Sequence, residues 1–477
     1  MSNKEDELYR AWLERPMTRR ALLDKARELG IAGVSAGFLM NTIGTRALAA
    51  SDSFNWQRHK GKTVRLLLNK HPYADTLIAN LENFKKLTGM NVEYDIFPED
   101  VYFDKVTSAL TSGSSQYDVF MTGAYQTWQY GPAGWLVDVN EFIRDPAETA
   151  NTFRWDDVLP NLRASTAWSG KVGDPLGGPD SKQWAMPLGF ELYSLSYNKA
   201  MLDKAGIAPP ENLPDLVDKA KALKSKIDGA YGIGVRGSRS WATIHPGYLS
   251  GYTNYGGRDF VMEDGKLRPA MNSPEAKAFT RLWIDMIQKA GPTDWTSYTW
   301  YEVGNDLGAG TSAMMYDADI IGFFQEQGSK QAGNIAYQPF AANPEATDPT
   351  SNVWIWSLAM SNFARDKSAA WYFLQWATGS DVLLHGATEG QVVDPVRRSV
   401  AESPGFQERM QASYLEQYRR TVGQAKIYFT PQPLFFNVTT QWAAQLQKMY
   451  AGQISVDEGL DQLAERVSRQ LESIGLT

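Results

Sequence analysis

The sequence predicts a large α/β protein of more than one domain, and three observations carry that prediction. From residue 62 the chain alternates strand-like and helix-like stretches: Lys62–Asn69, a helix near Ala74–Thr88, Asn91–Phe97, a helix over Val101–Ser112, then Tyr117–Met121. That order belongs to parallel strands joined by right-handed crossovers. Farther on, Met186–Tyr197 has strand periodicity through Leu188, Phe190, Leu192, Leu195 and Tyr197, and it is apolar on both faces, as a strand inside a sheet is. Finally, 477 residues exceed what one hydrophobic core usually organises.

Composition narrows the function classes. An apolar share of 43% is ample for a core, and 21% charged is ordinary for a folded soluble chain. A net charge of −7 argues against a nucleic-acid partner, which would require a basic stripe. With no Cys there are no disulfides and no thiol chemistry. Four scattered His without Cys make a zinc site improbable on composition, and no cofactor is expected.

The first 49 residues read as a leader. Thr18-Arg19-Arg20-Ala21-Leu22-Leu23, a weakly apolar run over Gly30–Gly44 and Ala47-Leu48-Ala49 resemble a twin-arginine export signal, with cleavage expected after Ala49. The apolar run is too short and too polar for a permanent membrane span. The expected location is the periplasm.

The first and third strands end in candidate ligand positions, because open α/β sheets collect ligands beyond the carboxyl ends of their strands. These candidates are His71 and Tyr73 after the first strand, and Tyr125, Gln126 and Trp128 after the third. Glu191 is anomalous in the apolar strand 186–197; a buried carboxylate there must be paired or face a cavity. Lys199–Ala205 reads as a short helix closed by Gly206. Asp174 and Asp180 lie in the Gly- and Pro-rich loop 167–184, at a spacing that matches no metal loop. A further strand is expected over Tyr231–Arg236. Gly232-x-Gly234-x-x-Gly237 mimics a dinucleotide fingerprint, but its glycines sit within the strand and no helix opens on them. Arg239 and Trp241, in the following loop, are candidates for holding hydroxyls and a flat ligand face.

Ser273-Pro274-Glu275 opens an amphipathic helix to Ala290, with Trp283 on its apolar face as core. In Met314-Met315-Tyr316-Asp317-Ala318-Asp319, strand alternation points Asp317 and Asp319 to one side, where they would bind vicinal hydroxyls, cap a loop or act as acid and base. Trp354 and Trp356 share a face of the strand 354–361, one as core and one as platform.

Several of these segments resemble one family. Pro187 followed by Glu191 and Tyr197-Asn198-Lys199, the Tyr117-Asp118-Val119 strand, Gly134-Trp135-Leu136, Gly310-x-x-Ala313-Met314, Trp354–Ser361 and Pro395-Val396-Arg397 are similar to the maltose-binding-protein-like sugar receptors of ABC importers. The resemblance runs over almost all of 54–477. It implies a two-lobe periplasmic-binding-protein fold with discontinuous lobes, a hinge of strand crossings and a ligand cleft between them. The boundaries it implies are 50–190 and 357–405 for the first lobe, and 191–356 and 406–477 for the second. It implies capture of a sugar, oligosaccharide or polyol by a monomer that delivers it to membrane permease subunits. It adds Arg397, and Phe435 in the aromatic loop 428–437, to the candidates. It also puts Glu191 on the cleft side of the hinge, expected ionised and near Asp317, Asp319 or an Arg. Thr122, Tyr125 and Gln126 depart from the pattern of the maltodextrin-binding members. Two rival readings are a polyamine receptor, whose cleft would hold acids and no Arg, and a glycoside hydrolase using Glu191 with Asp317 or Asp319.

Overall fold

The computed structural model describes residues 54–476 other than Thr347, together with Glu28; of Asp100 only the backbone is described. The export-signal reading of residues 1–49 lies outside the described residues. The strands in chain order are β1 (Thr63–Asn69), β2 (Asn91–Phe97), β3 (Val119–Gly123), β4 (Ala167–Trp168), β5 (Lys182–Gln183), β6 (Met186–Asn198), β7 (Phe260–Glu263), β8 (Lys266–Pro269), β9 (Met314–Ala318), β10 (Ile335–Gln338) and β11 (Val353–Met360). Seven of them form one curled sheet in the order β10-β6-β11-β3-β1-β2, with β9 also paired to β6. The strands β1, β2 and β3 are parallel, as the alternating pattern predicts.

The protein is two-lobed, and β6 joins the lobes. Its first half, through Leu192, pairs antiparallel with β11, which continues to β3. Its second half pairs with β9 from Tyr193 and with β10 from Leu195. All but one of its 13 residues are buried, because both halves are covered on both faces. Asn198 then caps the helix Lys199–Ala205, its side chain accepting from Met201 N at 3.1 Å, and Gly206 ends that helix at φ 66°.

Two elements depart from the sequence reading. The single helix near 74–88 is two helices, Pro72–Ala79 and Leu81–Thr88. At the break, the Asn80 side chain donates to Thr76 O at 2.9 Å and competes with the helical ladder. Residues 231–236 form only isolated parallel bridges, Tyr231 to Ser312 and Gly234 to Met315. Here the chain lies against the helix Leu213–Lys226 so closely that a Cβ on Gly232 would sit 1.9 Å from Ala220 O. The expected core helix is present as Pro274–Ala290, with Ser273 as its cap and Trp283 buried.

Candidate functional site

A cleft enclosing about 400 Å³ out to its mouth opens beside β6 and β11. Its wall is built from both sides of the crossing. His71 follows β1, Glu99 opens the helix Glu99–Thr111 after β2, and Glu191, Trp354 and Trp356 stand on β6 and β11. Arg236, Trp241, His245 and Trp300 face them from the other side, with Ile320, Ile321 and Phe324 of the helix Asp319–Gly328.

Register explains the aromatic wall. Trp354 is the cross-strand partner of Glu191, and Trp356, two residues on, shares its face. The β11–β6 register shifts just after Trp356, where the ladder is irregular. Glycine makes the close approach possible: a Cβ on Gly123 would lie 2.4 Å from the Trp354 ring. Trp354 lies 5.2 Å from Trp241 and 5.2 Å from Trp356, centroid to centroid. Phe103, on the helix after β2, meets Trp241 edge-on at 5.8 Å, so the two sides touch across the cleft.

Polar groups are few and aimed. Arg236 grips Asp317 through two parallel hydrogen bonds, Nε to Oδ2 at 2.9 Å and Nη2 to Oδ1 at 2.8 Å. Burial works against its charge, but Asp317 outweighs burial and holds the guanidinium above its ordinary value. Trp356 Nε1 donates to Glu191 Oε1 at 3.0 Å. Burial pushes the Glu191 carboxyl up to about 8, against the opposing pull of Arg236 and the Trp356 bond. The acid form therefore predominates at neutral pH, which corrects the expectation of an ionised carboxylate. His71 Nδ1 accepts from Tyr73 N at 3.2 Å, and burial pushes its imidazole down to about 3; the proton of this neutral ring is left on Nε2. Burial, and then Arg236, lower His245 well below its ordinary value. His245 Nδ1 and Trp354 Nε1 are buried without a hydrogen-bond partner.

Of the sequence candidates, the cleft brings together His71, Glu191, Trp241 and Trp354. The others stand elsewhere. Tyr73 is core, its hydroxyl donating to Phe190 O at 3.1 Å. Tyr125 stacks on Phe435 with centroids 4.4 Å apart and planes 2° from parallel, and Trp128 meets Phe435 edge-on. The Phe435 position follows from its helix, since Phe435–Tyr450 carries the residue inward instead of leaving it in a loop. Gln126 is buried without a partner beneath Gly123 and Trp354. Arg239 is exposed. Arg397 is fully buried and donates to Thr378 O and Arg154 O, at 2.7 and 2.8 Å. The strand ends at Ala318 and Asp319 opens a helix, so alternation does not carry through and the two aspartates part company. Asp317 is held by Arg236, and Asp319 accepts from Gln417 Nε2 at 2.6 Å, away from the cleft.

Arg236 and His245, which are not among the sequence candidates, line the cleft, and Arg239 does not. The available signal was Arg236 closing an apolar stretch that ends beside the acid-bearing strand: buried cations pair with buried acids. Trp356 also reaches the cleft, so the tryptophan pair is not divided between core and platform.

Two lobes joined by crossing strands, with a small polar-and-aromatic cleft between them, define a receptor for a small solute. The bacterial extracellular solute-binding protein family matches residues 70–382, and the chain belongs to that family. It is 39% identical over 451 residues to an erythritol/L-threitol-binding protein of Mycolicibacterium smegmatis, covering 92% of this chain and 94% of that one. It is 23% identical over 401 residues to a mannitol-binding protein of Pseudomonas aeruginosa, covering 80% and 87%. Its fold is similar to a solute-binding protein of Thermotoga lettingae with bound α-D-tagatose (TM-score 0.74, 21% identity, 86% of this chain and 99% of that one). It is also similar to one of Agrobacterium vitis with bound D-mannitol (TM-score 0.71, 23% identity, 87% and 99%).

Proposed function

We propose that the protein captures a short, uncharged acyclic polyol in the periplasm and delivers it to the permease of an ABC transporter. The observation that carries this reading is the cleft itself, walled by Trp241, Trp300, Trp354 and Trp356, with Arg236, Glu99, Glu191, His71 and His245 as its polar groups. Much of its space is open solvent at the mouth, and the small enclosed part suits a small molecule better than an oligosaccharide. Apolar rings cover the C–H faces of the chain while donors and acceptors take the hydroxyls. A neutral Glu191 and two neutral imidazoles suit hydroxyls more than ammonium groups, and Arg236 in the wall disfavours a polyamine. A four-carbon polyol is the first choice, in line with the Mycolicibacterium relative.

The glycosidase alternative has little support, since neither Asp317 nor Asp319 stands in the cleft beside Glu191. The finer assignments belong to the same proposal: a leader cleaved near Ala49, lobes of 50–190 with 357–405 and 191–356 with 406–477, and a monomer in solution. A thermal-shift and calorimetric screen of erythritol, L-threitol, ribitol, mannitol, maltose and spermidine tests it. Saturation at ~100 times the dissociation constant adds about 2.7 kcal/mol. The tetritols should raise the melting temperature most; a larger rise with maltose or spermidine overturns the reading.

A further inference from the structure

Behind the cleft wall lies an acid pair that the binding reading does not use. Asp319 opens the helix that carries Ile320, Ile321 and Phe324 into the cleft, and Asp394 lies in the segment returning past β6. Both are fully buried. The Asp394 carboxylate accepts from Leu192 N on the crossing strand at 3.3 Å and from the Tyr414 hydroxyl. The Asp319 side chain is within hydrogen-bonding reach of Asp394. Its Oδ2 accepts from Gln417, while its Oδ1 has no donor. Two carboxylates cannot both stay charged in contact inside a protein; one must carry a proton.

The hydrogen bonds say which. Asp394 accepts from Leu192 N and the Tyr414 hydroxyl and is the anion; Asp319 accepts from Gln417, with Ile320 N near it, and its Oδ1 is the position from which a proton can be given. We infer that Asp319 and Asp394 share a single proton, and that this acid–carboxylate bond is the positioning contact that seats the cleft-wall helix against the crossing strand. The function of the pair in capture rests on the reading of the cleft as the ligand site. Groups facing the pair from the packed elements are Tyr73, Tyr337, Tyr414, Tyr418 and Glu191, and no cation is among them. Burial first, and then Asp394, raise the Asp319 carboxyl well above its ordinary range, in the same direction as the hydrogen-bond argument. Because the folded value lies above the unfolded one, the contact stabilises fully at acid pH and is lost as pH rises through the folded value.

Asp319→Asn tests this, since an amide keeps the acceptor for Gln417 and gives a permanent N–H to Asp394. The measurements are erythritol affinity by calorimetry and the melting temperature of the ligand-free chain, both from pH 6 to 9, in a Glu191→Gln background that removes the titration of Glu191. In that background the parent should hold its affinity and melting temperature until the shared proton is lost and then weaken in affinity by up to about tenfold per further pH unit; if it stays flat to pH 9, carbon NMR of the parent must show one protonated carboxyl in the pair. Asp319→Asn should stay within about twofold across the range and keep a flat melting profile. Asp394→Asn places an N–H against Leu192 N or the Tyr414 hydroxyl and should be weak at every pH. Where the parent falls, an Asp319→Asn profile that keeps its slope overturns the inference. If no polyol binds the chain with Glu191 intact at pH 6, the polyol reading fails, and the ligand-free melting profiles still decide the shared proton. Should Asp319→Asn not fold, carbon NMR of the parent reads the carboxyls directly; two ionised groups at pH 7 would overturn it.

Discussion

Two aromatic clusters meet at Trp354 and do different work with the same residue types. On one side Trp241, His245 and Trp356 surround it, and space remains for a ligand. On the other, Tyr125 lies 5.6 Å away and leads into the closed stack of Tyr125, Trp128, Phe429 and Phe435. In the closed stack the Tyr125 hydroxyl is satisfied, donating to Val353 O at 3.0 Å and accepting from Asn352 Nδ2 at 2.8 Å, while Trp128 Nε1 is buried without a partner. In the open cluster a charge is anchored from behind, Asp317 to Arg236, while His245 Nδ1 and Trp354 Nε1 have none. An unpartnered indole edge occurs in both clusters, so what makes the open one a binding wall is the space it leaves and the anchored charge of Arg236 beside its rings.

The comparison breaks most severely at the anchor. Arg236→Ala strands the buried Asp317 charge and should cost about 3–5 kcal/mol in a urea melt, along with ligand binding. A loss below ~1 kcal/mol would mean that Asp317 finds another partner and that the charge is not what distinguishes the open cluster. Next comes the closed stack. Phe435→Ala removes a fully buried ring packed on four others and should cost about 3–5 kcal/mol of stability. Its polyol affinity, measured where the variant is still folded, should remain close to that of the parent. A selective loss of affinity would make the stack part of the site.

The sequence made some of this legible and hid the rest for identifiable reasons. Local pattern sufficed for β2, for β6 and for the helix Lys199–Ala205, where periodicity, cap and closing glycine agree. Glu191 was conspicuous because a charge in an apolar strand has to face something. Tyr125, Trp128 and Phe435 look like platforms in sequence because strand-end aromatics serve core and cleft alike; only tertiary placement separates them. Arg236 went unnoticed because its partner, Asp317, is 81 residues away and the segment carrying it forms bridges instead of a ladder. Asp319 was misplaced by a single residue of strand length.

A smaller effect sharpens the open cluster. Trp241 is only half-buried, beside His245 at 5.5 Å and Trp354 at 5.2 Å. Trp241→Ala should weaken polyol binding by roughly 1–3 kcal/mol while lowering stability by less. The same titration by tryptophan fluorescence should lose much of its ligand-dependent change. Equal losses of affinity and stability would place Trp241 with the closed stack.

The smallest expected effect concerns Glu191 at mildly acid pH. Burial raises its carboxyl from the ordinary 4.5 to about 8, so below that value the group is a neutral acid accepting from Trp356 Nε1. Glutamine has nearly the same shape and keeps an oxygen for that bond. At pH 6, Glu191→Gln should therefore change affinity and stability by less than about 1 kcal/mol. The difference should grow with pH, and its sign is fixed. A carboxyl whose folded value is raised contributes stability that is fully present below 4.5 and is lost as pH rises through about 8. Glutamine loses none of it, so the variant should become the more stable chain toward pH 9, and the gap in melting temperature should widen steadily between those limits. A variant that binds at least tenfold more weakly at pH 6 would show instead that ligand draws Glu191 into its ionised form, with Arg236 as the counter-charge. The open cluster would then differ from the closed one by carrying a second charge as well as open space.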